Sequence, residues 1–215
     1  MKLETYVLVV DDDKAARDSL QWLLESVGHK VICYASATDF LQSYAGTPGC
    51  LVLDVRMPGM SGLELQREVD RKGWCLPIIL VTGHGDVPMA VRAMQGGAID
   101  FLQKPYNDQV LIERTEQALA LAKERWDAKQ LVHAIQARYD RLTKRECEIA
   151  SLVSGGKSNK NIAAELDLSC KTVEVYRSNV MAKMAANSVV ELVRMLTIIN
   201  CAGRFEAIGD CQKVE

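Results

Sequence analysis

Between residues 6 and 104 the chain repeats one pattern: a short apolar run without polar alternation, then a stretch with helical spacing. The runs fall at 6–10, 31–35, 50–53, 77–82 and 98–103. Unbroken apolar runs of this length suit strands buried on both faces, as in a parallel sheet covered by helices on each side. Between them, Leu20, Leu23, Leu24 and Val27 recur at helical spacing until Gly28. Ser36 and Asp39 mark a second helix start, with Phe40, Leu41 and Tyr44 on its apolar face. Stretches 61–69 and 89–95 supply two more helices, the latter ended by Gly96-Gly97. Strands and helices alternating at this spacing predict an α/β unit with a parallel five-stranded sheet and right-handed crossovers.

The third run is the most informative. Cys50-Leu51-Val52-Leu53 ends in Asp54, and Met57-Pro58-Gly59 then stops the strand. That leaves a carboxylate at the carboxyl end of a strand, where open α/β sheets keep their chemistry. The first run ends in Asp11-Asp12-Asp13, the fourth in Thr82 and the fifth in Lys104-Pro105. On a parallel sheet these ends share one edge. Carboxylates brought together there repel: at 4 Å and an effective dielectric near 20, each close pair costs about 4 kcal/mol. Such a cluster needs a cation, and hard oxygen ligands with room for water suit Mg²⁺. Lys104 adds a fixed positive charge. A carboxylate beside a metal ion, an ammonium and a hydroxyl is what phosphoryl transfer to Asp54 requires, with Lys104 and Thr82 holding the product oxygens.

After residue 107 the pattern turns helical. Leu111, Thr115, Ala118, Leu119 and Ala122 suit a helix packed on the sheet, and 123–139 reads as a charged, Ala-rich helical linker with room for one break. A second unit begins at Leu142-Thr143-Lys144-Arg145-Glu146, where Thr143 and Glu146 match a capping box. Four helices are expected at about 146–154, 159–166, 170–184 and 188–199, followed by a frayed, disordered tail over 203–215. Stretch 159–178 is helix, three-residue turn, helix, the layout of a helix-turn-helix. Residues 140–200 hold nine Lys/Arg and seven Asp/Glu, a net of +2 in a chain whose total is −2. That asymmetry alone is too small to establish a nucleic-acid partner.

Other classes recede. No apolar run approaches the ~20 residues that span a bilayer, and the N-terminus lacks the apolar core of a signal peptide, so a cytoplasmic location is expected. The seven cysteines include no C-x-x-C pair, which argues against a zinc site or a disulfide frame.

Val9-Val10-Asp11-Asp12, Leu53-Asp54-Val55-Arg56-Met57-Pro58, Thr82-Gly83 and Lys104-Pro105 resemble the receiver domain of two-component response regulators, over about residues 4–122. The resemblance implies a flavodoxin-like (βα)5 fold for residues 1–122, with Asp54 as phosphoacceptor. It implies Asp12, Asp54 and the Arg56 backbone carbonyl as direct Mg²⁺ ligands, Asp11 assisting through water, Phe101 as an aromatic switch beside Thr82, and a cis Lys104–Pro105 bond.

Leu142-Thr143-x-Arg145-Glu146, Asn159-Lys160-x-Ile162-Ala163, Lys171-Thr172-Val173-Glu174-Val175 and Val180-Met181-x-Lys183-Met184 resemble the LuxR/NarL-type DNA-binding domain, an all-α four-helix unit at 140–202. Thr82 to Val91 brings the match closest to the FixJ subgroup. Two departures are Cys170, where Pro is frequent, and Asp167, where Gly is common; Asp tolerates a left-handed turn. By this resemblance Glu174, Val175 and Ser178 face base edges, while Lys160, Lys171, Thr172 and Arg177 contact phosphates or flanking edges. The last helix, with Val189, Val190, Leu192, Val193, Leu196 and Ile199, has more apolar residues than one face holds and offers a dimer surface or core packing.

The implied function is a phosphorylation-activated regulator of transcription rather than an enzyme. It would take its phosphoryl group from a histidine kinase, or from small phosphodonors with self-dephosphorylation, then form a homodimer and bind promoter DNA. Two alternatives stand beside it. One is a constitutive DNA-binding regulator whose receiver needs no phosphorylation. The other is an Asp-nucleophile phosphatase, which wants a second Asp two residues after the first, where this chain has Arg56.

Overall fold

The computed structural model describes residues 4–211, with side chains through Cys201. The chain divides into two units, Met1–Asp127 and Ala128–Glu215. In the first, β1 (Tyr6–Val10), α1 (Lys14–Ser26), β2 (Lys30–Tyr34), α2 (Ala37–Ser43), β3 (Gly49–Asp54), α3 (Gly62–Arg71), β4 (Ile78–Thr82), α4 (Val87–Gln95) and β5 (Asp100–Gln103) alternate as expected, followed by α5 (Asp108–Tyr139). The strands are all parallel, in the order β2-β1-β3-β4-β5. This is the flavodoxin-like arrangement, and its order reverses between β1 and β3, which is where such sheets leave a crevice for ligands.

The unbroken apolar runs are explained by burial on two faces. Leu8, Val10, Leu51, Leu53, Ile78 and Leu80 point to one face and pack on Phe40, Leu65, Val69 and Ala93 of α2, α3 and α4. The alternate residues Val7, Val9, Cys50, Val52, Ile79 and Val81 point to the other and meet Leu20 and Leu24 of α1 and Leu111 and Ala118 of α5. Each such side chain contributes about 1.5–3 kcal/mol by leaving water, so a polar residue at any of these positions would be strongly selected against by the fold itself. The register sets Val10 beside Leu53, Asp54 beside Val81 and Thr82 beside Gln103, so the strand tips end level.

Helix starts follow local chemistry. Asp13, Ser36, Ser61 and Asp86 each cap a helix with a side-chain oxygen, and Ser61 with Glu64 completes a capping box. Helix α4 begins two residues earlier than its apolar spacing indicated, because Pro88 sits in the first turn, where a missing N–H costs nothing. Gly62 matters for the site: a Cβ there would lie 2.3 Å from the Asp54 carbonyl oxygen. Its absence lets α3 start against the tip of β3, with the Gly62 N–H donating to the Val55 carbonyl at 3.0 Å.

In the second unit, α6 (Lys144–Ser154), α7 (Asn159–Leu166), α8 (Cys170–Met184) and α9 (Val189–Cys211) follow α5. Helix α5 runs through the stretch read as a linker without the break that reading allowed, and its Ile135 is buried in the second unit's core. Thr143 and Glu146 form the expected capping box. Asp167 takes the left-handed conformation (φ 52°) that the turn between α7 and α8 requires. Ile149, Ile162, Val173, Val180, Met184, Leu192, Leu196 and Ile199 share one core. Core packing therefore claims most of the apolar surplus on α9, leaving Val190 exposed. Helix α9 extends beyond the end its periodicity indicated, and the expected disordered tail of 203–215 falls on residues whose side chains, and from 212 whose backbone, lie outside the described residues.

Candidate functional site

Four strand tips meet at the switch point of the sheet. The Lys104 ammonium donates to Asp11 Oδ2 at 2.7 Å and to Asp54 Oδ1 at 2.9 Å, joining residues 93 and 50 positions apart. Both carboxylates are nearly buried, Asp11 at 2% and Asp54 at 6% exposure, while Lys104 is half-covered. The other Asp54 oxygen accepts from the Arg56 backbone N–H at 2.7 Å, and Asp11 Oδ1 accepts from the Asp13 N–H at 2.9 Å. Asp12 lies exposed on the rim. Lys104 is aimed by its own backbone: its N–H donates to the Thr82 carbonyl at 2.8 Å, and the peptide to Pro105 is cis.

The electrostatics are those of a shared cation. Burial pushes the Asp54 carboxyl up; the Lys104 hydrogen bond and charge oppose that shift, and the Asp11 charge adds to it, so the net direction is upward. Burial alone would lower the Lys104 ammonium, but bonds to two carboxylates outweigh it and raise it. Two buried carboxylates thus share one ammonium in this pocket. Among the described residues no three His, Cys, Asp or Glu side chains form a ready-made metal cage. The donors present, two buried carboxylates and a third on the open rim, are nonetheless the hard oxygens a small divalent cation takes when it keeps part of its water.

Thr82 is fully buried at the tip of β4, its hydroxyl accepting from the His84 N–H at 3.3 Å. Phe101 is half-buried and packs at the edge of the sheet core. The two are tied through Gly85: a Cβ there would lie 2.8 Å from the Phe101 ring and 3.2 Å from the Thr82 methyl. The glycine clears the space these side chains share. The sequence reading missed Arg17, whose Nη1 donates to the Asp11 and Asp12 carbonyls at 2.7 and 2.9 Å. A cation this near a helix N-terminus opposes the helix dipole, a signal Arg17 shares with Lys14 of the same first turn. Cys50, near the start of β3, is fully buried and its thiol is pushed up to about 12, which leaves it inert.

In the second unit, Lys171, Glu174, Val175 and Ser178 lie on the exposed side of α8, and Lys160 is exposed on α7. Thr172 is half-buried and shares its hydroxyl with Ser169, whose side chain caps the helix. Arg177, expected to point outward, is instead half-buried and donates to Asn159 Oδ1 at 2.6 Å. A shallow concavity on α8 is lined by Ser169, Lys171, Thr172, Val175, Tyr176 and Asn179. Asn179 was not among the expected contacts; its spacing of four from Val175 puts it on the same stripe.

Comparison with known proteins agrees with this architecture. Residues 7–116 match the response regulator receiver domain family, and residues 140–196 match the family of bacterial regulatory proteins, luxR family. Transcriptional regulatory protein FixJ of Bradyrhizobium diazoefficiens is 45% identical over 196 residues, covering 91% of this chain and 96% of that protein. Nodulation protein W of the same organism is 46% identical over 190 residues, covering 88% and 84%. The solved structure of the response regulator StyR superposes with a TM-score of 0.81 at 42% identity, over 90% of this chain and 98% of that one. No single helix among the described residues is long and apolar enough to cross a membrane. The chain therefore belongs to the FixJ-like response regulators, phosphorylation-dependent regulators of transcription that join a receiver domain to a LuxR-type DNA-binding domain.

Proposed function

We propose that Asp54 is the phosphoacceptor and that its phosphorylation by a partner histidine kinase drives dimerisation and promoter binding. The observation that carries this is the Lys104 ammonium held between Asp11 and Asp54. An Asp54 carboxylate oxygen attacks the phosphorus, and the bond from phosphorus to the kinase's imidazole nitrogen breaks as the new acyl phosphate forms. Asp11, Asp12, Asp54 and the Arg56 carbonyl fit Mg²⁺, which when bound supplies positive charge against the incoming phosphoryl oxygens. Lys104 exchanges its contact with Asp54 for the phosphoryl oxygens, and the Thr82 hydroxyl turns from His84 to them. Small phosphodonors can serve the same site, and water later attacks the phosphorus, breaking the acyl P–O bond to give inorganic phosphate and the free Asp54 carboxylate.

The added charge, close to two units, acts on Thr82 and Lys104 at the strand tips. As Thr82 moves toward the phosphoryl group, Phe101, which packs beside it against Gly85, follows. Helix α4 offers an apolar surface for a second copy: Val87, Val91 and Met94 lie at 76%, 47% and 48% exposure, spaced along one stripe. Turning a population from 1:99 to 99:1 needs about 5.5 kcal/mol of differential stabilisation, which phosphate contacts and a dimer interface together can provide.

On the DNA side, α8 enters the major groove with Glu174, Val175 and Ser178 toward base edges. Lys160, Lys171, Thr172 and Arg177 face phosphates, Arg177 from its position against Asn159. Dimerisation sets two such helices at paired half-sites. The test is promoter binding with and without acetyl phosphate. Affinity should rise on phosphorylation for the native chain and stay at the basal level for Asp54→Asn. Equal affinity in both conditions for the native chain would instead favour a constitutive regulator.

A further inference from the structure

Arg17 lies on α1, four residues after the Asp13 cap, where the helix dipole disfavours a cation. It is held there by geometry. One nitrogen, Nη1, donates to the Asp11 carbonyl at 2.7 Å and to the Asp12 carbonyl at 2.9 Å. Along a strand successive carbonyls point to opposite sides, so a single donor reaching both marks the bend where β1 stops and the acidic loop begins. The same loop is tied by the Asp13 N–H to Asp11 Oδ1 at the bend, and by the Ala15 N–H to Asp13 Oδ1, which caps α1 just beyond it. Asp11 is 2% exposed, so its carbonyl needs a protein partner, and Arg17 supplies one from a half-buried position.

We infer that Arg17 is a positioning residue: its guanidinium fixes the backbone bend that presents the Asp11 and Asp12 carboxylates at the tip of β3, and thereby sets the affinity of the pocket for a divalent cation. This rests on reading the pocket as a Mg²⁺ site. The clamp and the charge of Arg17 act in opposite directions, which makes the inference separable. As a bare positive charge Arg17 repels a dication, so removing it would tighten binding. As a clamp it orders the ligands, so removing it loosens binding, by about 10-fold or more if it behaves like other residues that orient metal ligands.

The experiment titrates the full chain with Mg²⁺ by calorimetry, without any phosphodonor, for the native protein, Arg17→Met and Arg17→Lys, with circular dichroism to establish that each is folded. The expected result is a dissociation constant at least tenfold higher than native for Arg17→Met, with Arg17→Lys also weaker than native. Arg17→Met binding as tightly as the native chain, or more tightly, overturns the inference. Should Arg17→Met fail to fold, Arg17→Lys decides: it keeps the charge, so weaker binding comes from lost geometry, and native affinity overturns the clamp. Failure of the folded native chain to bind Mg²⁺ would remove the reading of the pocket and this inference with it, an outcome distinct from native binding that Arg17 does not influence.

Discussion

Replacing Lys104 by Met leaves the Asp11 and Asp54 carboxylates facing each other without their shared cation. Lys104 lies 2.7 and 2.9 Å from them, and their side chains are 2% and 9% exposed. Removing one partner of a buried ion pair costs about 3–5 kcal/mol. Lys104 itself is 27% exposed, so water screens part of the interaction and the lower half of that range applies. A second limit comes from proton uptake. The variant can relieve the repulsion by protonating Asp54, whose carboxyl is already raised from 3.8 by burial. At pH 7 that costs at most about 4 kcal/mol, at 1.36 kcal/mol per pH unit. The expected loss for Lys104→Met at pH 7 is therefore about 3 kcal/mol, and it shrinks as pH falls toward the carboxyl range. Asp54→Asn in the same chain should restore most of it, because one buried charge is gone. Trp22 and Trp74 lie well inside the first unit and Trp126 at its end on α5, so urea unfolding followed by tryptophan fluorescence reports chiefly on that unit. A loss below about 1 kcal/mol, or additive losses in the double variant, would refute the account of the pocket as a charge-coupled cluster.

Lys171→Ala should weaken promoter binding across unrelated sequences and reduce the slope of log K against log salt by about 0.9, measured by anisotropy at several salt concentrations; an unchanged slope would remove Lys171 from the phosphate contacts. Gly85→Ala places a methyl 2.8 Å from the Phe101 ring, so Phe101 aromatic resonances should shift in the unphosphorylated protein while those of Phe40 stay put. The Glu146 carboxyl is held below its ordinary value by the Lys183 hydrogen bond and the Thr143 backbone N–H. Its contribution to stability is present above pH 4.5 and is lost as pH falls through the lowered value, so Glu146→Gln should flatten the acid limb of the second unit's unfolding curve. An acid limb of unchanged steepness would show that Glu146 is not coupled to folding.

Strands were legible because the sheet is covered on both sides: Leu51, Val52 and Leu53 are all fully buried, so no polar residue interrupts the run. The pocket was legible for a related reason, since Asp11, Asp54, Thr82 and Lys104 each follow directly on such a run. Most of what stayed hidden depends on contacts between segments. The start of α4 at Val87 was marked locally by the Asp86 cap and by Pro88 in the first turn, but apolar spacing alone, which begins at Met89, does not register either. Arg177 has the spacing of an outward residue, but Asn159 of the neighbouring helix draws it in. Arg17 looks like one more charge on a solvated helix until the two carbonyls it grips are seen. The apolar excess on α9 left core and interface equally open, and only the packing of Leu192, Leu196 and Ile199 on α6 and its neighbours separates them.

Localising the transferred phosphoryl group addresses the central claim most directly. The native chain, treated with Mg²⁺ and acetyl phosphate or with its phosphorylated kinase, should gain one acyl phosphate that is labile to acid, base and hydroxylamine. Trapping with hydroxylamine followed by peptide mass mapping should place it on the segment containing Asp54, and Asp54→Asn should carry none. Modification of another residue in the native chain, or undiminished labelling of the Asp54→Asn protein, would contradict it.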